Sequence, residues 1–251
     1  MSRLLSVLAI LSVLAVALGG CSTDDPVAPA ADPSDTSPTA DKARGMNPNP
    51  RIIPPHARPH GKSYAEWSAE WWQWLWSAPA STNPGLDGTG EFVSWGQSGK
   101  VWFLAPNYGF GQVDHRTATI PRGTMLFIDV VGFFGSTATG DGETVEEIMA
   151  NLGPATEAVT DIVLEVDGVA HDITSDYLVY SVPFAFTLPE DNMFQYFGMD
   201  VQPGTYEPGV AYTYHVMLAP LSRGTHTIHI HANMEAVGWG TSEVFYDLTV
   251  E

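Results

Sequence analysis

His229 and His231 stand two residues apart in Thr225–His231 (THTIHIH), a run of strand-like composition. In a strand such a pair projects to one face, which is how sheets assemble metal sites from neutral imidazoles. A site of this kind needs a third ligand, and Asp247, Glu235, Glu243 and His215 are candidates. The alternative is a solvated outer face carrying both histidines while Ile228 and Ile230 point inward. A divalent metal at His229 and His231 is the one cofactor these residues raise. A second constellation is Glu66 and Glu70, two carboxylates one helical turn apart. Glycoside cleavage needs two carboxylates at a fixed separation, usually facing each other across a cleft, whereas these share one stripe. The third is aromatic. Trp72, Trp76 and Trp95 are the tryptophans expected to show a ring. Flat rings stack on the apolar faces of sugars and other ring systems while nearby Glu66 and Glu70 bind polar edges. Signatures of a serine nucleophile are absent, and the glycine-rich stretch 132–142 lacks the lysine and spacing of a phosphate loop. Asp129, in an apolar run, is either a buried acid or a strand-edge residue.

The elements that must position these groups follow from pattern. EWSAEWWQWLW (66–76) holds five of the eight tryptophans in the chain. Ser63 with Glu66 three residues on forms a capping box, whose two side chains satisfy orphan backbone donors reciprocally, so a helix is predicted over 63–76. At a hundred degrees per residue, the apolar side chains cover well over half the wheel and leave Glu66, Glu70 and Gln73 a narrow stripe. A helix apolar over so much of its circumference is buried on several sides. Trp67, Trp71 and Trp74 are therefore expected in the core. An interfacial membrane helix would carry Lys or Arg on its polar face, and this one carries two glutamates.

Beyond Glu91 the sequence runs in short strand-like segments: 100–105, 116–120, 124–131, 161–166, 177–182, 184–188, 211–218, 225–231 and 243–250. Asp167-Gly168 is a strong hairpin turn, and Pro183 marks a strand edge or bulge. A second helix is expected over about 143–151, stopped by Gly153-Pro154. The succession predicts a mainly β fold: an antiparallel β-sandwich, Ig-like or jelly-roll-like in outline, with two short helices.

Residues 1–20 read as an export signal: Arg3, then an apolar run from Leu4 to Leu18, too short and wrongly flanked for a membrane span. Leu18-Gly19-Gly20-Cys21 resembles the bacterial lipobox, which implies cleavage before Cys21 and its acylation. Several acyl chains together hold a protein stably on a bilayer. Ser22 in place of aspartate favours the outer membrane in a Gram-negative cell. Residues 21–50, poor in large apolar groups and rich in Pro, Ala, Asp, Ser and Thr, read as a disordered tether. A single domain is expected over 51–251, with ample length for a sizeable core. Loss of Arg3 leaves nine basic against 29 acidic residues, so nucleic acid and anionic lipid headgroups are excluded as partners by repulsion.

Gly61-Lys62-Ser63-Tyr64-Ala65-Glu66-Trp67-Ser68 followed by Trp71-Trp72-Gln73-Trp74 resembles the opening of a family of uncharacterised bacterial exported proteins. The match continues through Gly96-Gln97-Ser98-Gly99, Val101–Ala105, Val166-Asp167-Gly168 and Gly224–His229. The resemblance implies export and assigns no activity. Relatives often carry cysteines where Val93 and Ala118 stand here, which fits a lost disulfide; they commonly have Pro at Lys100 and Ala at Arg122.

These readings converge on a lipid-anchored cell-envelope β-sandwich with a binding or structural role, its ligand a glycan or another ring-containing molecule. Two alternatives stay open: a metal-dependent or carboxylate-based hydrolase, and an assembly partner that presents the Trp cluster to another envelope protein. The anchor has a direct test. Cys21→Ser is expected to move the protein from the membrane fraction to the soluble fraction and to abolish labelling by radioactive palmitate. Unchanged partitioning would remove the lipoprotein reading.

Overall fold

The computed structural model describes residues 52–251. The signal-like residues 1–20, Cys21 and the segment 21–50 lie outside the described residues. Eleven strands form two sheets. The first comprises β1 (Ile52–Ile53), β2 (Val101–Leu104), β4 (Met125–Ser136), β7 (Leu178–Tyr180), β8 (Phe184–Leu188) and β9 (Gly204–Leu218), in the order β1-β9-β4-β2 with β7 and β8 also on β9. The second is β3-β11-β10-β5-β6, built from β3 (Val113–Ile120), β5 (Thr160–Val166), β6 (Val169–His171), β10 (Gly224–Asn233) and β11 (Thr241–Val250). The mainly β sandwich expected from the strand pattern is present. Most pairings are antiparallel, but both sheets end in a parallel pair, β2 on β4 and β3 on β11. Asp167 and Gly168 connect β5 to β6 with φ of 53° and 75°, the paired left-handed conformation that favours such a dipeptide in a hairpin. Pro183 falls between β7 and β8, which pair with successive stretches of β9.

The sheets pack face to face through Leu126, Ile128, Val216 and Leu218 on one side and Ile228, Ile230, Val244 and Leu248 on the other. The alternation in β10 follows directly: Ile228 and Ile230 are buried and His229 and His231 face outward. The first sheet is covered on its other face as well. There α1 (Tyr64–Ser77) lies across β9 and β8, burying Tyr64, Trp67, Trp71, Trp72, Trp74, Leu75 and Trp76 against Phe127, Ala211, Met217 and Phe186. Burial on both faces is why β4 reads as a continuous apolar run rather than an alternation. Ser63 caps α1 as its sequence requires, accepting from the Glu66 amide while the Glu66 carboxylate accepts from the Ser63 amide at 2.7 Å. Glu66 also pairs with Arg58, and Glu70 with Lys62.

Two features of the helices differ from expectation. Helix α2 (Val145–Glu157) runs through Gly153-Pro154 instead of stopping there. Ile148, Leu152 and Thr156, four residues apart, are buried on one stripe. Thr156 donates to the Leu152 and Tyr212 carbonyls, so packing and these bonds outweigh the proline's lost amide. A third helix, the single-turn α3 (Met193–Tyr196), follows β8. Among the described residues no helix is long and apolar enough to cross a membrane.

One charge is buried deeply between the sheets. Arg116 on β3 is fully buried and donates to Asp114 Oδ2 at 2.8 Å, Tyr246 Oη at 2.7 Å and the Ala105 carbonyl at 3.0 Å. The guanidinium thereby fastens the chain after β2 to β3 and β11. Removing one member of such a pair strands the other charge without its partner. Arg116→Leu is expected to lower stability by about 3–5 kcal/mol, as read by the shift in urea midpoint at constant slope.

Candidate ligand cavity

An apolar cavity of about 200 Å³ lies where the C-terminal half of α1 meets β4, α3 and the turns around Tyr108 and Trp239. Its aromatic wall is built by the spacing within α1. Trp72 and Trp76, one turn apart, lie 5.6 Å from each other; Trp72 stacks on Phe134 at 5.6 Å, and Trp76 on Phe194 at 4.4 Å. Gly132 of β4 lets the strands close up beside this wall, because a Cβ there would come within 2.4 Å of Thr213 Cα. Phe197, Met199 and Trp239 also line the cavity and are partly exposed, so they form its mouth.

Trp72 and Trp76 are therefore not the exposed rings expected from the wheel. They are 2% and 7% exposed, because β8 and α3 cover the face that the wheel left open. They line a half-open apolar cavity instead. Trp95 is half-buried in a separate cleft of about 310 Å³ with Glu70, Gln73 and Trp74, and its carbonyl accepts from Trp74 Nε1. Glu66 does not join that cleft's lining; its carboxylate serves the helix cap and Arg58. The exposed tryptophan that sequence reasoning passed over is Trp239, 47% exposed in Gly238-Trp239-Gly240. A large aromatic flanked by two glycines in a turn was the available signal.

His229 and His231 share the outward face of β10 as expected, partly buried beside Glu243 and, for His229, Glu165 at 3.6 Å. Glu243 on β11 reaches both residues: His229 Nε2 lies 3.1 Å from Oε1 and His231 Nδ1 lies 3.9 Å from Oε2. The His229 ring also stacks on Phe245, whose other face carries His115. Among the described residues no group of three or more His, Cys, Asp or Glu side chains converges as metal ligands. Of the four third-ligand candidates the structure brings Glu243 to the pair; His215 lies on the other sheet under α1.

Two serine–histidine pairs invite comparison with nucleophilic catalysis, and both imidazoles are buried. His215 Nδ1 lies 3.3 Å from the Ile128 carbonyl, which can only accept, so Nδ1 carries the proton and Nε2 accepts from Ser68 Oγ at 3.0 Å. Asp129 is the cross-strand partner of His215. Ser68, His215 and Asp129 are all fully buried, which closes this pair to a substrate. Ser222, His226 and Asp167 form the second line, with His226 Nδ1 at 2.8 Å from Asp167 Oδ2. There Nε2 lies 3.2 Å from Ser222 Oγ and 2.9 Å from the Ser222 carbonyl, and the imidazole is only 6% exposed. It clasps the turn before β10 to the β5–β6 hairpin.

Desolvation disfavours charge in the buried polar layer beneath α1. Burial drives Asp129 well above the usual carboxylate range, with Tyr108 Oη at 3.4 Å as its partner. Burial likewise pushes His215 down to about 3.

No protein-family model matches the chain. No curated protein matches it either. A solved structure described as "Structure of PbICP-C in complex with falcipain-2" is similar over 61% of this chain and 100% of that chain, at 12% identity and a TM-score of 0.24. A likeness at that level carries no argument about fold or function.

The two shifts generate opposite pH dependences. Asp129 has a folded pKa above its unfolded value of about 3.9. Its contribution to stability is full below about pH 4 and is lost as pH rises. His215 has a folded value below its unfolded value of about 6.5. Its contribution is full above that pH and is lost toward pH 3 at about 1.4 kcal/mol per unit. Asp129→Asn is expected to gain stability over the wild type increasingly from pH 4 to 8, and His215→Gln to flatten the acid limb. Urea denaturation across this range reads both; curves parallel to the wild type would refute the assignment.

Proposed function

We propose that this protein is a lipid-anchored component of the bacterial cell envelope whose folded domain binds a small ring-containing ligand. The observation that carries the binding role is the aromatic cavity of about 200 Å³ at Trp72 and Trp76, with Trp239, Phe197 and Met199 at its mouth. Apolar cavities of comparable size accept a single aromatic ring, and concave apolar sites with few polar groups are the usual form of a small-molecule site. A glycan is the less suitable occupant, because Trp72 and Trp76 are buried and form a recessed wall instead of an open platform. The signal-like residues 1–20 and Cys21 support the envelope location, and the acidic composition supports the exclusion of nucleic acid.

Exposed Tyr196, Phe197, Met199 and Trp239 favour a second reading, in which this apolar surface meets another envelope protein. Ligand-observed saturation-transfer NMR with benzyl alcohol and indole, against oligosaccharides of glucose and N-acetylglucosamine, separates the two. The ring compounds are expected to bind saturably with Kd of about 0.1–1 mM, roughly half a kcal/mol per non-hydrogen atom. The cavity-filling variant Val131→Phe is expected to lose that signal. Absence of saturable binding, or binding indifferent to Val131→Phe, would overturn the cavity as a site and leave the interface reading.

A further inference from the structure

The outer face of the second sheet carries polar side chains that the fold leaves unused. Strands β3, β11 and β10 lie side by side, and their registers set two rows across this face. Thr119, Thr249 and Thr225 form one row, and Thr117, Asp247 and Thr227 the other. All six are exposed, because they alternate with residues turned into the sandwich such as Leu248 and Ile228. At a strand spacing of about 4.8 Å each row is about 10 Å wide. Among the described residues no group bonds to these five hydroxyls or to the Asp247 carboxylate; Thr227 is engaged through its backbone amide, which donates to Asp167.

The two rows form the floor of a trough of about 650 Å³. Gly90 and Ser94, in the segment before β2, contribute one wall, and Asp167 of the β5–β6 hairpin contributes the other. Both walls are tied to the floor. The Thr89 carbonyl accepts from the Thr117 amide at 3.0 Å, and Asp167 accepts from His226 Nδ1 at 2.8 Å and from the Thr227 amide at 2.9 Å. Gly90, with φ of 95°, lies against β3 because it has no Cβ, which would come within 2.4 Å of the Thr117 carbonyl oxygen. Both oxygens of Asp167 are engaged, so Asp247 is the carboxylate of the lining left free. No Lys or Arg lines the trough, and the chain has a formal net charge of −19. A free carboxylate of this kind attracts a cation, and hydroxyls that both donate and accept match a ligand rich in hydroxyls.

We infer that this trough binds a saccharide carrying ammonium groups, a nitrogen pairing with Asp247 while the sugar hydroxyls bond to the threonines around it. Charge complementarity calls for the cation, and the five unengaged hydroxyls favour a sugar over an acyclic polyamine. The trough shares no lining residue with the aromatic cavity, so the inference stands apart from the cavity reading.

Isothermal titration of the purified protein at about pH 6, where sugar amines are charged, tests it. The probes are the trisaccharide of glucosamine, the trisaccharide of N-acetylglucosamine, which lacks the charge, and spermidine, which lacks the hydroxyls. The glucosamine trisaccharide is expected to bind saturably and about tenfold tighter than either of the others, as one charge-assisted hydrogen bond provides. Asp247→Asn is expected to erase its preference over the N-acetylated sugar. Thr227→Val with Thr249→Val is expected to reduce its preference over spermidine about threefold or more; both positions are exposed, and valine suits a strand. Val131→Phe, which fills the aromatic cavity, should leave all three affinities unchanged. No saturable binding of the glucosamine trisaccharide, or an equal affinity for either comparison compound, would overturn the inference. So would a preference unchanged by Asp247→Asn or by the double valine variant, or binding lost in Val131→Phe, since the ligand would then sit elsewhere. Should the double variant fail to fold, Asp247→Asn and the wild-type comparison decide.

Discussion

The structure depends on a tryptophan-rich helix that must hide both its rings and its indole N–H groups. Burying the rings supplies apolar area, but each indole also brings a donor that water no longer satisfies. Four of these donors find acceptors on four separate segments: the turn before α1, the end of β2, the middle of β9 and the loop carrying Trp95. Because those acceptors come from distant parts of the chain, satisfying the helix also organises its surroundings. The first sheet is consequently covered on both faces, by the second sheet and by α1. The capping box at Ser63 sets where the helix starts and so where each indole points.

Beneath that helix lies a polar layer in which burial disfavours charge. Asp129 and His215 face each other across β4 and β9, fully buried, and desolvation disfavours the ionised form of each. His215 is further held by Phe127 stacked at 4.6 Å and by bonds to Ile128 and Ser68. Arg116, between the sheets, follows the opposite strategy: it keeps its charge and surrounds it with a carboxylate, a phenol and carbonyls. The Ser–His pairs belong to this structural accounting, since both imidazoles are buried. The cavity differs from these regions because its wall is mostly apolar.

Much of the architecture could be read before the coordinates. The capping box, the buried character of Trp67, Trp71 and Trp74, the Asp167-Gly168 hairpin, the break at Pro183 and the inward isoleucines of β10 all depend on interactions within a few residues, where periodicity and turn chemistry decide. The persistence of α2 past Pro154 was not legible, because Thr156 is anchored by the Tyr212 carbonyl 56 residues away in sequence. The parallel edge pairs were hidden for the same reason: a strand's composition does not name its neighbour. Burial of Arg116 was likewise invisible, since its alternation on β3 is that of any strand and only the contacts with Tyr246 and Ala105 explain it.

The candidate site shows the same division. By itself the sequence determined that a helix dense in tryptophan would be buried and that His229 and His231 would share one face, since both follow from the repeat of a local backbone. Only the tertiary structure decided that Trp72 and Trp76 would be walled in by α3 and β8 instead of facing solvent, that Glu243 would meet the histidines, and that Trp239 would reach the cavity mouth. The physical reason is that a helical wheel states how much of a helix is apolar, whereas the shape left between elements arises from which distant segments close around that helix.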